Sequence, residues 1–421
     1  MRLFHLLSPD LWVVRRIANY HRILCLGPFH VLKLPRRDQT SDVDMNRTIR
    51  RLFNIAIFLC LCSAVQVGQS QVSLSDFSLA DDRTYLLQTV EGHRYAGRVD
   101  FYDRSGLVMT RRNGRIAILK PDEIKAIKEV DNQFYPQNFQ QMREKLQKEF
   151  GSKYVVSITE HFLVVHPPGD YEKWALPFEQ LYLRVAAYFK TRGRTIHEPE
   201  FPMVAVVLRT RNEFVQMAQQ RNAASNVIGY YAFHSNRLIA YQQKIPWRNE
   251  AHNWADTMST IIHEATHQTA ANIGIHSRIG VNPRWVTEGL ATMFEAKGVN
   301  NFFKYPNFND RINWGRLKEL RELYKEGEVE GTVQQLIESD ALFKHDSKRA
   351  YAVSWAMSLY LAERYPRKYA QYLGMLQKKE LTSSISVSNR VKYFQKAFGD
   401  PAAIEAGVRA FADRMPQSEA K

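Results

Sequence analysis

Short alternations of apolar and polar residues, broken by turn pairs, fill the stretch from about residue 83 to residue 130. The runs 85–90 and 95–102 are separated by Glu91-Gly92, and two shorter apolar runs follow, each beside a glycine-containing turn. An alternation with a period of two is typical of strands with one buried face, and closely spaced turn signals indicate hairpins. The pattern predicts a small antiparallel β-barrel over residues 75–130.

Beyond residue 130 the spacing of apolar residues changes between the strand period and the helix period. Three apolar runs of strand length occur, at residues 154–158, 162–166 and 203–208. A single helix of about 20 residues is expected from Tyr171 to Lys190, and a hairpin is expected over residues 227–241. The predicted class is α+β, with a mixed sheet and helices over residues 131–300 and a helical C-terminal part over residues 301–421.

One predicted helix contains His263-Glu264-Ala265-Thr266-His267, which has the His-Glu-x-x-His spacing of zinc hydrolases. Residues four apart lie on the same face of a helix, so both imidazoles can reach a single ion. Glu264 is not needed as a ligand from its position. It can instead take a proton from a metal-bound water whose pKa zinc has lowered.

A catalytic zinc takes three protein ligands and leaves a further position to water, so a third ligand is required. Downstream, Pro283 is placed to open a second helix, and Glu288 falls in the second turn of that helix. The residues between His267 and Glu288 suffice to end the first helix at Gly274, form a short loop and return antiparallel. Glu288 is therefore the candidate third ligand.

The His-Glu-x-x-His run, followed by Trp285-Val286-Thr287-Glu288-Gly289-Leu290-Ala291, resembles the gluzincin metallopeptidases of the peptidase MA superfamily. More closely, the segment resembles a bacterial domain family of unknown function that is assigned to that superfamily. The resemblance implies a zincin-like domain with a mixed sheet, and Zn²⁺ held by His263, His267 and Glu288. It also implies that Glu264 is the general base. The predicted barrel, in turn, resembles a small SH3-like module.

Departures from the thermolysin pattern affect the groups around the metal. Thr287 and Thr292 stand where thermolysin has an Asn before the third ligand and an Asp four residues after it. Glu295, which lies on the same helix face as Glu288, can substitute for the missing carboxylate or can be a solvated charge at the helix end.

Three further residues are candidates for a place near the site. Tyr351 or His345 is expected to donate a hydrogen bond to the oxyanion of the reaction, as a Tyr or His does in gluzincins, and Tyr351 is favoured. His276, in the loop between the two ligand helices, is expected to be solvated.

The front of the chain has the pattern of an exported protein. Residues 1–44 show no sustained period and are interpreted as a mis-annotated leader, so that translation starts at Met45. Residues 45–70 have the basic start, apolar middle and small residues of a signal peptide, with a permanent anchor as the alternative. All three cysteines lie before residue 71, so the exported part cannot form a disulfide. The expected location is the periplasm, the cell envelope or the extracellular space.

Charge adds little about partners. The formal net charge is +15, but basic residues are scattered among acidic ones, and no nucleic-acid-binding motif is found. A peptide or protein substrate is expected, with no stable membrane span after signal cleavage. The sequence leaves the oligomeric state open, as well as the choice between endopeptidase, aminopeptidase and peptidoglycan peptidase.

The favoured function is a secreted zinc metallopeptidase. The alternative is a non-enzymatic secreted scaffold of zincin fold whose barrel binds a peptide or an envelope polymer. The joint presence of three candidate ligands and Glu264 favours the enzyme, because a scaffold has no need of a general base.

Overall fold

The computed structural model describes residues 82–418, apart from 170, 222, 224, 281 and 378–385. The predicted leader, the predicted signal peptide and the first residues of the predicted barrel lie outside the described residues. Within them, the predicted α+β class and the helical C-terminal part are confirmed. No helix in the described part of the chain is both long and apolar enough to cross a membrane.

The N-terminal region forms a five-stranded antiparallel sheet of order β4-β3-β2-β1-β5. Its strands are β1 (Thr84–Thr89), β2 (Arg94–Asp103), β3 (Gly106–Arg111), β4 (Ile116–Leu119) and β5 (Ile124–Asp131). The predicted closed barrel is not found, because β4 and β5 remain as the two edges of this sheet. The free edge of β4 makes one hydrogen bond to a distant part of the chain, in which the N–H of Ile116 donates to the carbonyl of His234 at 2.7 Å.

A second sheet of five strands has the order β6-β7-β8-β10-β9 and mixes parallel and antiparallel pairs. Its strands are β6 (Val155–Ile158), β7 (Phe162–His166), β8 (Met203–Leu208), β9 (Gly229–Ala232) and β10 (Arg237–Tyr241). Alternate residues of β8 enter two different apolar cores, one on each face of the sheet. This explains why β8 is apolar at every position. Strand β9 lies at an edge.

Helices cover both faces of the second sheet. Those before residue 301 are α1 (Phe139–Phe150), α2 (Tyr171–Trp174), α3 (Leu176–Lys190), α4 (Arg211–Gln220), α5 (Glu250–Asn272), α6 (Arg284–Phe294) and α7 (Lys297–Asn300). The single helix predicted from Tyr171 to Lys190 is wrong, because the chain breaks at Ala175 into α2 and α3. Pro177 explains the break, since proline has no N–H to continue the hydrogen bonds of α2 and fits the first turn of a new helix.

Seven helices form the described C-terminal part, and several of them contact α6. They are α8 (Trp314–Glu326), α9 (Thr332–Glu338), α10 (Leu342–His345), α11 (Ser347–Arg364), α12 (Pro366–Met375), α13 (Val387–Phe398) and α14 (Pro401–Asp413). Trp285 of α6 is fully buried; its ring stacks on Tyr372 of α12 at 5.7 Å and meets Phe394 of α13 edge-on at 6.0 Å. These contacts with the C-terminal helices therefore help to hold α6 in position.

Candidate metal centre

Helix α5 carries the His-Glu-x-x-His run. The side chain of Asn249 caps its N-terminus by accepting a hydrogen bond of 2.8 Å from a first-turn N–H. Ile261 and Ala265 are buried in the main core, whereas His263 and His267, one turn apart, keep part of their surface exposed. The apolar face thus anchors the helix and leaves both imidazoles at the edge of the core.

Helix α6 brings Glu288 to the same place. It begins directly after Pro283, as the sequence predicts. At Gly289 the helix approaches α11 so closely that a side chain would collide with the Ser358 hydroxyl and the Ser354 carbonyl. This close contact sets the position of α6, and with it that of the neighbouring Glu288.

Three donor atoms converge between the two helices. Nε2 of His263 lies 3.2 Å from Nε2 of His267 and 3.3 Å from Oε2 of Glu288. The distance from Nε2 of His267 to the same carboxylate oxygen is 3.7 Å. The three residues form a group that could hold a metal ion.

These separations can be tested against zinc geometry. Bonds of 2.0–2.1 Å in a tetrahedral arrangement place neighbouring donor atoms about 3.3 Å apart. The three observed distances lie close to that value, and two imidazole nitrogens with one carboxylate oxygen are a common donor set for zinc. The residues therefore fit a zinc ion in both spacing and chemistry.

The charges of the cluster favour a cation at its centre. Burial alone lowers the pKa of His263, but hydrogen bonds with Glu288 and Glu295 outweigh it and raise this pKa well above its usual value. Burial opposes ionisation of Glu288, yet its interactions with His263 and His267 hold its pKa well below the usual value. Positive charge is thus stabilised where the three donors meet.

Glu264 lies beside the cluster and contacts the edge of the second sheet. Its Oε2 accepts a hydrogen bond of 2.8 Å from the backbone N–H of Tyr231 in β9. Burial raises the pKa of Glu264, although the charges of His263 and His267 act in the opposite direction. The structure therefore offers a carboxyl group with a raised pKa, as general acid–base catalysis by a glutamate requires.

Glu295 is engaged with a candidate ligand rather than solvated. Its Oε1 lies 2.7 Å from Nδ1 of His263, and its Oε2 accepts a hydrogen bond of 2.8 Å from the side chain of Asn313. Asn313 also caps α8, since its Oδ1 accepts from the N–H of Arg316 at 3.2 Å. Glu295 therefore holds Nδ1 of His263, the ring nitrogen that faces away from the cluster, as an outer carboxylate commonly does for metal-binding histidines.

Tyr351, on α11, also reaches the cluster. Tyr351 is 6% exposed, and its hydroxyl is close enough to Glu288 for the two side chains to interact electrostatically. Burial, followed by the charge of Glu288, raises the pKa of Tyr351 well above its usual value, so the hydroxyl keeps its proton. His345, the other candidate for this role, is exposed at the end of α10.

His276 departs from expectation, because it is buried and not solvated. It is 5% exposed, and its Nε2 has no hydrogen-bond partner among the described residues. Burial, with a contribution from His267, lowers the pKa of His276 to about 3, so the ring is neutral near neutral pH. The loop folds back because the N–H groups of Ile275 and His276 both donate to the carbonyl of Ala270. The amino-acid sequence of the loop does not indicate that His276 is buried.

Fold and site together define a mixed α+β protein with a His-His-Glu group that could hold a metal ion. A family model described as "Protein of unknown function (DUF1570)" matches residues 257–381. The matched stretch contains the three candidate ligands, Glu264 and Tyr351. A search of curated proteins finds no match.

Proposed function

We propose that the chain is a zinc-dependent peptidase that hydrolyses amide bonds with Glu264 as general base. The observation that supports this most directly is the meeting of His263, His267 and Glu288 at distances of 3.2, 3.3 and 3.7 Å, with a further carboxylate beside them. Two imidazole donors favour zinc over magnesium or calcium. We also propose that the site has a gluzincin-like arrangement of ligands and that the domain has a zincin-like fold.

A bound zinc would supply a Lewis acid that polarises the substrate carbonyl and acidifies water. Glu264 removes a proton from the attacking water and passes it to the leaving nitrogen. Tyr231 holds only Oε2 of Glu264, which leaves the other oxygen for this transfer. Tyr351 keeps its phenolic proton and lies next to the candidate ligand Glu288. It is therefore the proposed hydrogen-bond donor to the oxyanion.

The edge strand β9 is the proposed substrate platform. An extended peptide can add to an exposed sheet edge through main-chain hydrogen bonds. The N–H of Tyr231 points from this edge to Glu264, so a chain lying along β9 would pass the general base. This supports a peptide or protein substrate.

Export is a second part of the proposal, supported by the signal-like pattern of residues 45–70. The N-terminal sheet is proposed to be a packing partner of the site. This proposal is supported by the contacts of Arg278, which lies in the loop between α5 and α6. Its side chain donates hydrogen bonds to the carbonyl of Gly114, between β3 and β4, at 2.8 Å and to the carbonyl of Phe233, after β9, at 3.0 Å.

The test measures bound metal and peptide cleavage for the wild type and for Glu264→Gln. Because Glu264 is not a ligand, we expect both proteins to bind one zinc per chain. Cleavage of a peptide library by the variant should fall by about 10²–10⁴-fold, since only the proton transfer is lost. If both proteins lack stoichiometric zinc, or if the variant cleaves like the wild type, the peptidase proposal fails. The non-enzymatic scaffold would then be the better account.

A further inference from the structure

Arg284 lies one turn before Glu288 on α6, so the two side chains share a helix face. Its Nη2 is 3.9 Å from Oε1 of Glu288, and its guanidinium lies over the ring of Phe343 at 4.7 Å. A separation of 3.9 Å is too long for a hydrogen bond. The cation is therefore held beside the metal centre by an aromatic face and by charge, and not by hydrogen bonds.

The donors of Arg284 are open. A guanidinium carries five N–H groups, yet within the described part of the chain this side chain donates no hydrogen bond, and 16% of its surface is exposed. Arg316 provides a contrast. Its guanidinium lies 4.9 Å from the centre of the Tyr351 ring, but its Nη1 already donates to Glu319 at 2.8 Å. Of these two arginines, only Arg284 has a side chain that makes no hydrogen bond within the described residues.

The chemistry of Arg284 selects a carboxylate as the partner. The planar fork of a guanidinium matches the two oxygens of a carboxylate, and such bidentate pairs are among the strongest hydrogen-bonded contacts in proteins. Glu288 is a poor permanent partner, because a metal ion competes for its charge. A carboxylate supplied by the substrate has no such competitor.

The position of Arg284 sets where that carboxylate lies in the substrate. A single carboxylate group, that of Glu288, separates the guanidinium from the point where the three donors meet. Because Nη2 of Arg284 lies 3.9 Å from Oε1 of that carboxylate, one residue of extended chain, about 3.8 Å between successive Cα atoms, has the right order of length to connect a group at Arg284 with one at the metal centre. An amide carbonyl at the metal centre and a carboxylate at Arg284 would therefore belong to adjacent residues.

We infer that Arg284 is a specificity residue that binds a substrate carboxylate carried next to the scissile amide. The substrates are then peptides with a free C-terminal carboxylate on the residue beside the cleaved bond, or with an acidic side chain on that residue. This inference rests on the proposed peptidase function.

Peptide binding to the complete, zinc-loaded chain carrying Glu264→Gln tests the inference without turnover. The probes are matched pairs, namely one acetylated peptide with a free or an amidated C-terminus, and a second, amidated peptide with Asp or Asn at one position. Calorimetry should show that one carboxylate member binds about 10–100-fold more tightly than its amide. The pair that shows the difference identifies the source of the carboxylate.

Variants of Arg284 then assign the preference. In the same background, Arg284→Gln should abolish it and Arg284→Lys should keep part of it, whereas the control Arg316→Gln should keep it. If Arg284→Gln weakens zinc binding and leaves the carboxylate preference unchanged, Arg284 only positions Glu288 and the inference is wrong.

Cleavage by the wild type separates the two proposals. If the wild-type protein cleaves library peptides with no preference for either carboxylate, the inference fails and the peptidase proposal stands. If no peptide is bound or cleaved by the zinc-loaded protein, both fail.

Discussion

Two groups of His and Glu residues in the described part of the chain could hold a metal ion by composition and proximity. One is the His263, His267 and Glu288 group between α5 and α6. The other consists of Glu160, His161 and Glu179, near the turn between β6 and β7 and the start of α3. Comparing how the donor atoms of the two groups are used shows why only the first is proposed as a metal centre.

Two residues of the second group, His161 and Glu179, are already engaged by other groups of the protein. The carboxylate of Glu179 accepts from the Thr159 hydroxyl at 2.6 Å and from the N–H of His161 at 3.0 Å, and lies 2.6 Å from Nδ1 of His161. The other imidazole nitrogen of His161 lies 3.2 Å from Glu198. Both ring nitrogens of His161 therefore face carboxylates, and Glu179 fastens the turn to α3.

In the first group one side of His263 is fixed and the other is free for an ion. Glu295 holds Nδ1, while Nε2 faces His267 and Glu288 at distances that suit a shared metal. Residue type and proximity therefore do not by themselves define a metal centre. What matters is whether the donor atoms converge while their other hydrogen bonds are made elsewhere.

The largest expected effect separates the two groups directly. His263→Ala should abolish stoichiometric zinc binding, because it removes one of three donors, whereas His161→Ala should leave one zinc per chain. Metal analysis of the two purified variants, with circular dichroism to confirm folding, makes the comparison. Loss of zinc in the His161 variant alone would reverse our assignment.

A smaller effect is expected from the residue that holds His263. Glu295→Gln should lower zinc affinity about 10–100-fold, because the amide is a weaker acceptor for Nδ1 and no longer raises the basicity of the imidazole. Competition with a chromophoric chelator measures the change. Glu319→Gln, which alters an acidic residue paired with Arg316 and not with a histidine, is the control. Equal zinc affinity in Glu295→Gln and the wild type would mean that the 2.7 Å contact is not used to orient the ligand.

Part of this site could be predicted from sequence because it depends on local spacing. His263 and His267 are four residues apart on one helix, and Pro283 marks the start of the helix that carries Glu288, so helix periodicity alone aligned these groups. The break between α2 and α3 could also have been predicted, since Pro177 was visible within the expected helix.

The rest depends on tertiary contacts that no local pattern encodes. Asn313 meets Glu295 only because the N-terminus of α8 packs near the end of α6. His276 is buried because its loop folds back on the carbonyl of Ala270. The edge strand β4 contacts the β9–β10 hairpin through residues that are more than a hundred positions apart in the sequence.

The smallest expected effect concerns the stability of the turn that Glu179 holds. Glu179→Gln replaces an acceptor-only carboxylate with an amide whose NH₂ group must face one of the donors at Thr159 or His161. Leaving such a buried donor unpaired should lower the free energy of unfolding by about 1–3 kcal/mol, with no change in zinc stoichiometry. Urea unfolding of the wild type, Glu179→Gln and Glu198→Gln checks this, the last being a control because that side chain is 70% exposed. Unchanged stability together with loss of zinc would show that Glu179 serves a metal and not the turn.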